Sequence, residues 1–253
     1  MSSTEEILKA SKEGDYNRVF DLLDADPALA TVSSMTGSQP IHAAHFGGHQ
    51  RVVELLLARG VDLDFFLAAE LGMLDRVTGA LGTDPQLARA FSAAGSTALH
   101  RACYWGQTAV ARVLLERGAD ANAVTRDSFL QIAPLGCSVA TPDVPNPSDD
   151  EDVVLELVNL LVASGANVNA RRRDGLTALH SAAYRGHMKV IGLLLEWGAD
   201  PTICGYEGAG PHAGETAEDL AVAQGQSAAA AALRVARQAT NGDGLSHKRV
   251  TAC

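Results

Sequence analysis

The sequence predicts an all-α solenoid of short helix-turn-helix repeats joined by hairpin-like turns, and three observations lead there. Residues 7–64 superpose on residues 65–122 without a gap, with 21 of 58 positions identical, where about three or four would match by chance at ordinary composition. Glycines recur in the middle of each unit: Gly14 to Gly48 is 34 residues, Gly48 to Gly72 is 24 and Gly72 to Gly106 is 34. Finally, 47% of the 253 residues are hydrophobic but only 5% are aromatic, so the core has to be assembled from Ala, Leu, Val and Gly at close range.

Taken in order, residues 4–32 read as a helical pair that caps the stack, closed by the turn at Asp26-Pro27. Residues 33–64 form a full repeat. Val52, Val53, Leu55, Leu56 and Leu57 lie on a helical stripe, and Gly60 supplies a left-handed C-cap, as Gly118 and Gly198 do later. Residues 65–90 form a short repeat without a hairpin. In the full repeat 91–123, Thr97 stands at an N-cap, and His100, three residues on, is placed to bond backbone across the turn. Thr177 and His180 repeat that pair in 171–202, and His42 aligns with both histidines.

Residues 124–170 are the irregular repeat. Its second helix is clear after Val153, but the stretch before it lacks the Thr-x-Leu-His start, carries Pro134, Pro142, Pro145 and Pro147, and ends in Asp149, Asp150, Glu151 and Asp152. His100 to His180 is 80 residues, against two periods of about 33, so about fourteen residues are extra. An inserted loop is placed at 132–152, its acids favouring the start of the next helix. Residues 203–235 read as a C-terminal cap with Thr216 as N-cap, and 236–253, lacking periodicity, as a disordered tail.

Three segments carry a family resemblance: GSQPIHAAHFGGHQRVVELLLARGVDLD at Gly37–Asp64, GSTALHRACYWGQTAVARVLLERGADAN at Gly95–Asn122, and GLTALHSAAYRGHMKVIGLLLEWGADP at Gly175–Pro201. On these motifs the chain resembles the ankyrin-repeat family, and the type expected is a bacterial multi-repeat ankyrin protein. The resemblance implies about six repeats, two of them caps, that present the first helix of each repeat and the hairpin tips on one concave side to a protein partner. The position after the Ala-Ala pair is Lys12, Phe46, Glu70, Tyr104, Tyr184 and Ala223 in successive repeats, with Trp105 and Arg185 beside it. Tyr, Trp and Arg dominate interface energetics, so Phe46, Glu70, Tyr104, Trp105, Tyr184 and Arg185 are the expected protein-binding residues. Covering the seams between repeats is the plainer role for the same aromatics.

A net charge of −10 removes the electrostatic attraction that drives most nucleic-acid binding. No apolar run approaches the ~20 residues that span a bilayer. Four scattered cysteines without a Cys-x-x-Cys pair and an amino terminus without a signal pattern point to a reduced, cytoplasmic, monomeric scaffold. His42, His45 and His49 share a helical face, but no carboxylate or cysteine lies at ligand spacing, so no metal is expected. Gly47-Gly48 and Gly208-Ala209-Gly210 lack the strand-helix setting of phosphate loops. No cofactor and no catalytic residue is expected, and the reading leans away from an enzyme. The rival reading is a small-molecule-binding protein or enzyme. It needs a closed pocket of ~300 Å³ between Tyr104, Trp105 and the irregular repeat near Gln131–Cys137, with Glu70 or an adjacent histidine as acid or base. The Arg171-Arg172-Arg173 run is available to an acidic partner or to the chain's own Asp149–Asp152.

Overall fold

In the computed structural model, which describes residues 2–34, 38–127, 131–139, 150–208 and 210–242, regular structure is helical throughout. Among these residues the extended pairings are isolated bridges at hairpin necks, such as Phe91 with Thr97 and Cys204 with Thr216, and no helix is long and apolar enough to cross a membrane. The chain divides into two units, residues 1–64 and 65–253.

The first unit holds α1 (Ser3–Glu13), α2 (Tyr16–Ala25), α3 (Pro40–Phe46) and α4 (Gln50–Ala58). Three of the four starts have a local cause in the sequence. Ser2 and Glu5 form a reciprocal capping box on α1, Asp15 accepts the amide of Arg18 at 3.0 Å to open α2, and Pro40 begins α3 where no amide is needed. Asp26 closes α2 and accepts from the Ala28 amide at 3.0 Å, opening the 3-10 turn Pro27–Thr31. Ile7, Val19, Leu23, Ile41, Val53 and Leu56 form the core. One contact ties α4 to the preceding repeat: the His49 ring lies on Gly14, and its Nε2 meets the Lys12 carbonyl at 3.0 Å.

The second unit repeats the design with α5 (Phe65–Glu70), α6 (Leu74–Thr83), α7 (Ala98–Tyr104), α8 (Thr108–Glu116), α9 (Pro134–Ser138), α10 (Glu151–Ala163), α11 (Ala178–Arg185), α12 (Met188–Glu196), α13 (Ala217–Ala223) and α14 (Ser227–Gly242). Gln107 takes the role of His49: its side chain packs on Gly72 and its Nε2 donates to the Glu70 carbonyl at 3.1 Å. Gln226 packs on Gly186 in the same way. Gly72 and Gly186 are left-handed, at φ +71° and +73°, so both the backbone and the neighbour's side chain demand glycine.

Thr97 and His100 act as expected. The Thr97 amide donates to His100 Nδ1 at 3.2 Å, leaving the proton on Nε2, which donates to the Ile132 carbonyl at 3.0 Å in the next repeat. Thr177 and His180 share the same local bonds, and the carbonyls of Glu215 and Ile203 face the His180 ring. Thr216 and Asp219 form the box that starts α13.

The irregular repeat departs from the expected loop at 132–152. Ala133-Pro134-Leu135-Gly136 occupies the Thr-x-Leu-His place, and Pro134 starts α9, which packs on α7 as the first helix of its repeat. Gly136 stands where other repeats have histidine, and a Cβ there would come within 2.6 Å of Ile132 Cγ1. The insertion therefore falls after Ser138, and residues 140–149, with Pro142, Pro145, Pro147 and Asp149, lie outside the described residues. Asp150 caps α10 as anticipated, but Glu151 accepts the Lys189 amide at 2.7 Å in the first turn of α12, and Asp152 pairs with Lys189 Nζ at 2.6 Å. Of the arginine run, Arg172 is buried against Asp174 and Arg171 lies over the Tyr206 ring at 5.0 Å. Helix α14 continues to Gly242, so 236–242 is helical and not tail; 243–253 lies outside the described residues.

Two outcomes follow. Gly72→Ala should cost more stability than Gly165→Ala in urea denaturation, by about 1 kcal/mol or more. Both are left-handed, at φ +71° and +87°, but only Gly72 has a side chain packed on it. Burial is the largest cause that lowers the His180 pKa from 6.5 to about 4. The unfolded state therefore binds the proton more readily. Stability is full above pH 6.5 and falls by about 3 kcal/mol as pH drops to about 4. A urea midpoint series over that range, in which His180→Gln flattens the slope, checks it.

Candidate functional site

The first helices of the second unit are short, and each ends where the chain turns back into the second helix. The closing residues therefore leave the seam and turn toward solvent. Tyr104 ends α7 and Trp105 is its C-cap, and the rings meet edge to face with centroids 5.6 Å apart. Both are half-buried. Burial raises the Tyr104 phenol above its usual range, with smaller contributions from Cys137 and Glu70, so it is a neutral hydroxyl donor at physiological pH.

Glu70 differs from what its place in the row implies. It is 3% exposed, and its Oε2 accepts from Arg101 Nη1 at 2.7 Å. Arg101 Nε also donates to Ser96 Oγ at 3.3 Å, so the guanidinium spans from the hairpin to the preceding repeat. The carboxylate serves inside the stack, and the partly exposed charge at this place belongs to Arg101. Sequence spacing matches Glu70 with Tyr104, and the two close α5 and α7, but the partner that buries Glu70 comes from 31 residues further on. The second residue of His100-Arg101 was the signal available, since it lies one turn before Tyr104 on the same helix.

Tyr184 and Arg185 end α11 and are half-buried. Tyr184 has an edge contact to His212 at 6.4 Å, and His212 Nδ1 lies 2.7 Å from Glu215 Oε2. Between these residues and Tyr104 sits the irregular repeat, whose Ser138 and Val139 are buried. Phe46 belongs to the other unit, where it ends α3 and is 48% exposed.

Among the described residues, the stretch 131–137 of the irregular repeat borders no space of the size that an enzyme reading requires. The space bounded by Ile132, Ala133, Gly136, Arg172, Leu176 and Ser181 holds about 10 Å³, less than the 300–1,000 Å³ of ordinary ligand sites. A depression of about 650 Å³ lies elsewhere, on Arg89 and Phe91, and neither Tyr104 nor Trp105 lines it. Cys103 and Cys137 are free thiols that burial pushes up, Cys137 to about 12, which disfavours the nucleophilic thiolate. Among the described residues no three His, Cys, Asp or Glu converge as metal ligands.

Paired short helices, left-handed glycines on the seams and Thr-x-x-His boxes agree with two family models, both of ankyrin repeats. One matches residues 7–125 as three copies and the other residues 154–195 as many copies. The chain belongs to the ankyrin-repeat family. It is similar to an E3 ubiquitin-protein ligase of Arabidopsis thaliana, 29% identical over 205 residues, which are 77% of this chain and 36% of that protein. An E3 ubiquitin-protein ligase of the same plant, 26% identical over 211 residues, shares 79% of this chain and 38% of its own length. A mouse B-cell lymphoma 3 protein homolog is 42% identical over 106 residues, 42% of this chain and 21% of that protein. The chain thus spans well under half the length of these relatives. They are plant and animal proteins, which gives the bacterial type no support.

Because the Glu70–Arg101 pair crosses a seam with one member buried, Glu70→Ala should destabilise this ankyrin array by about 2–4 kcal/mol in chemical denaturation.

Proposed function

We propose that this ankyrin array is an interaction module or adaptor that holds a protein partner on the first-helix side, with Tyr104, Trp105, Tyr184 and Arg185 in contact. Arg101 takes the charged role assigned above to Glu70, and Phe46 is the corresponding contact in residues 1–64. The observation that carries the reading is the Tyr104–Trp105 pair, set edge to face at 5.6 Å at the end of a helix whose start is boxed by Thr97 and His100. Rings held by such a scaffold lose little freedom on binding, which favours affinity without further contacts. The net charge of −10 supports a protein partner over nucleic acid, and the same reading keeps a monomeric scaffold in the cytoplasm. The plant relatives are named as ubiquitin ligases; what carries over is the array they share, and no ligase step is assigned to residues of this chain.

The test is quantitative cross-linking capture from cytosol of the source organism with the full chain and its Tyr104→Ala and Trp105→Ala variants. Each variant should weaken binding of the captured protein by about 2 kcal/mol, roughly thirtyfold, with the thermal midpoint within a few degrees of wild type. An unchanged captured set with both variants would refute the reading.

A further inference from the structure

The loops that follow the second helices are laced by asparagines. Asn122 Nδ2 donates to the Gly165 carbonyl of the next repeat at 2.8 Å, and Asn122 Oδ1 accepts the Asn167 amide at 2.7 Å. Asn169 does the same one seam later, donating to the Gly198 carbonyl at 3.1 Å and accepting the Asp200 amide at 2.8 Å. Each asparagine thus satisfies a glycine carbonyl and the amide two residues beyond it. At the preceding seam the short repeat ends in the 3-10 turn Pro85–Arg89, and the lacing residue is Arg89. Its Nε donates to the Gly118 carbonyl at 2.7 Å, reproducing the first bond. It cannot reproduce the second, because a guanidinium has donors and no acceptor.

The Asp120 amide, equivalent to those of Asn167 and Asp200, consequently has no acceptor among the described residues, and neither Nη of Arg89 has one. These donors border the depression of about 650 Å³, whose other walls include Phe91, Ala119, Ala121 and Val124, the last 48% exposed. Arg126 stacks on the Phe91 ring at 3.7 Å without itself lining the depression, so Arg89 is the cation of the lining. The Asp120 carboxylate, the negative group of the lining, is folded back onto the Asn122 amide at 2.8 Å. In residues 1–64 the duplicated position is Thr31, whose hydroxyl bonds the Ala28 carbonyl at 3.4 Å, so this donor set belongs to the second unit.

We propose that this depression is a second binding site, for an extended peptide segment whose acidic side chain supplies the acceptor that the seam lacks. One carboxylate oxygen takes the Asp120 amide and the other an Arg89 Nη, a charge-assisted arrangement, while flanking aliphatic side chains lie on Ala121, Val124 and Phe91. The site is separate from the Tyr104–Trp105 surface and does not rest on it.

The test titrates acetyl-Leu-Glu-Leu-amide and acetyl-Leu-Gln-Leu-amide into the full-length protein, followed by amide resonances. Both ends are blocked, so the glutamate is the one carboxylate present. The Glu peptide should move the Asp120 amide and Arg89 Nε–H saturably, with the Gln peptide at least tenfold weaker. Arg89→Asn removes the cation and introduces an acceptor of the kind that the other seams use. It should weaken the Glu peptide at least tenfold, while the thermal midpoint stays level or rises. The proposal is overturned by equal binding of the two peptides, by shifts that avoid Asp120, or by an Arg89→Asn variant that folds and binds as wild type does.

Discussion

The bond from a side chain of one repeat to the backbone of the next is what the rest of this protein depends on. His49 to Lys12, Gln107 to Glu70, His100 to Ile132 and Asn122 to Gly165 are all of this kind. A single pair of such short helices cannot bury enough apolar surface to hold itself. The seam supplies the missing burial, and a backbone partner makes the contact indifferent to which side chain the neighbour carries. That indifference lets Gln replace His beside Gly72 and Gly186, and lets a short repeat stand next to a full one.

The same constraint shapes the surface. Side chains that close the first helices are released from the seam, which is where Tyr104, Trp105, Tyr184 and Arg185 are found. Charges near a seam are drawn into it: Glu70 serves Arg101, and Glu151 serves the first turn of α12. With Arg89 an asparagine's bond is kept by a residue that cannot accept, and an amide is left open to the outside.

Much of the fold was legible because its signals are local. Capping residues, left-handed glycines and apolar stripes act within four residues of one another, and the tandem copies repeated them. The start of the irregular repeat was not legible. Five residues at Pro134–Ser138 are too few to show a helical period, and Gly136 removes the histidine that marks the other starts. Glu70 closes α5 as its spacing implies, while its burial follows from Arg101. The acids at 150–152 favour the start of their own helix, Asp150 as its cap and Glu151 and Asp152 in its first turn. What spacing does not show is that Glu151 and Asp152 also bond Lys189, 37 or more residues away.

By itself, then, the sequence determined that this chain is a stack of paired helices, where most pairs begin and end, and which residues close the first helices. Those outcomes follow from backbone geometry and hydrogen bonding inside one turn or one period. Only the tertiary structure decided which polar groups are satisfied across the seams and which remain open. Such pairings join residues about 30 to 45 positions apart, and their outcome depends on whether the group brought opposite is a donor or an acceptor.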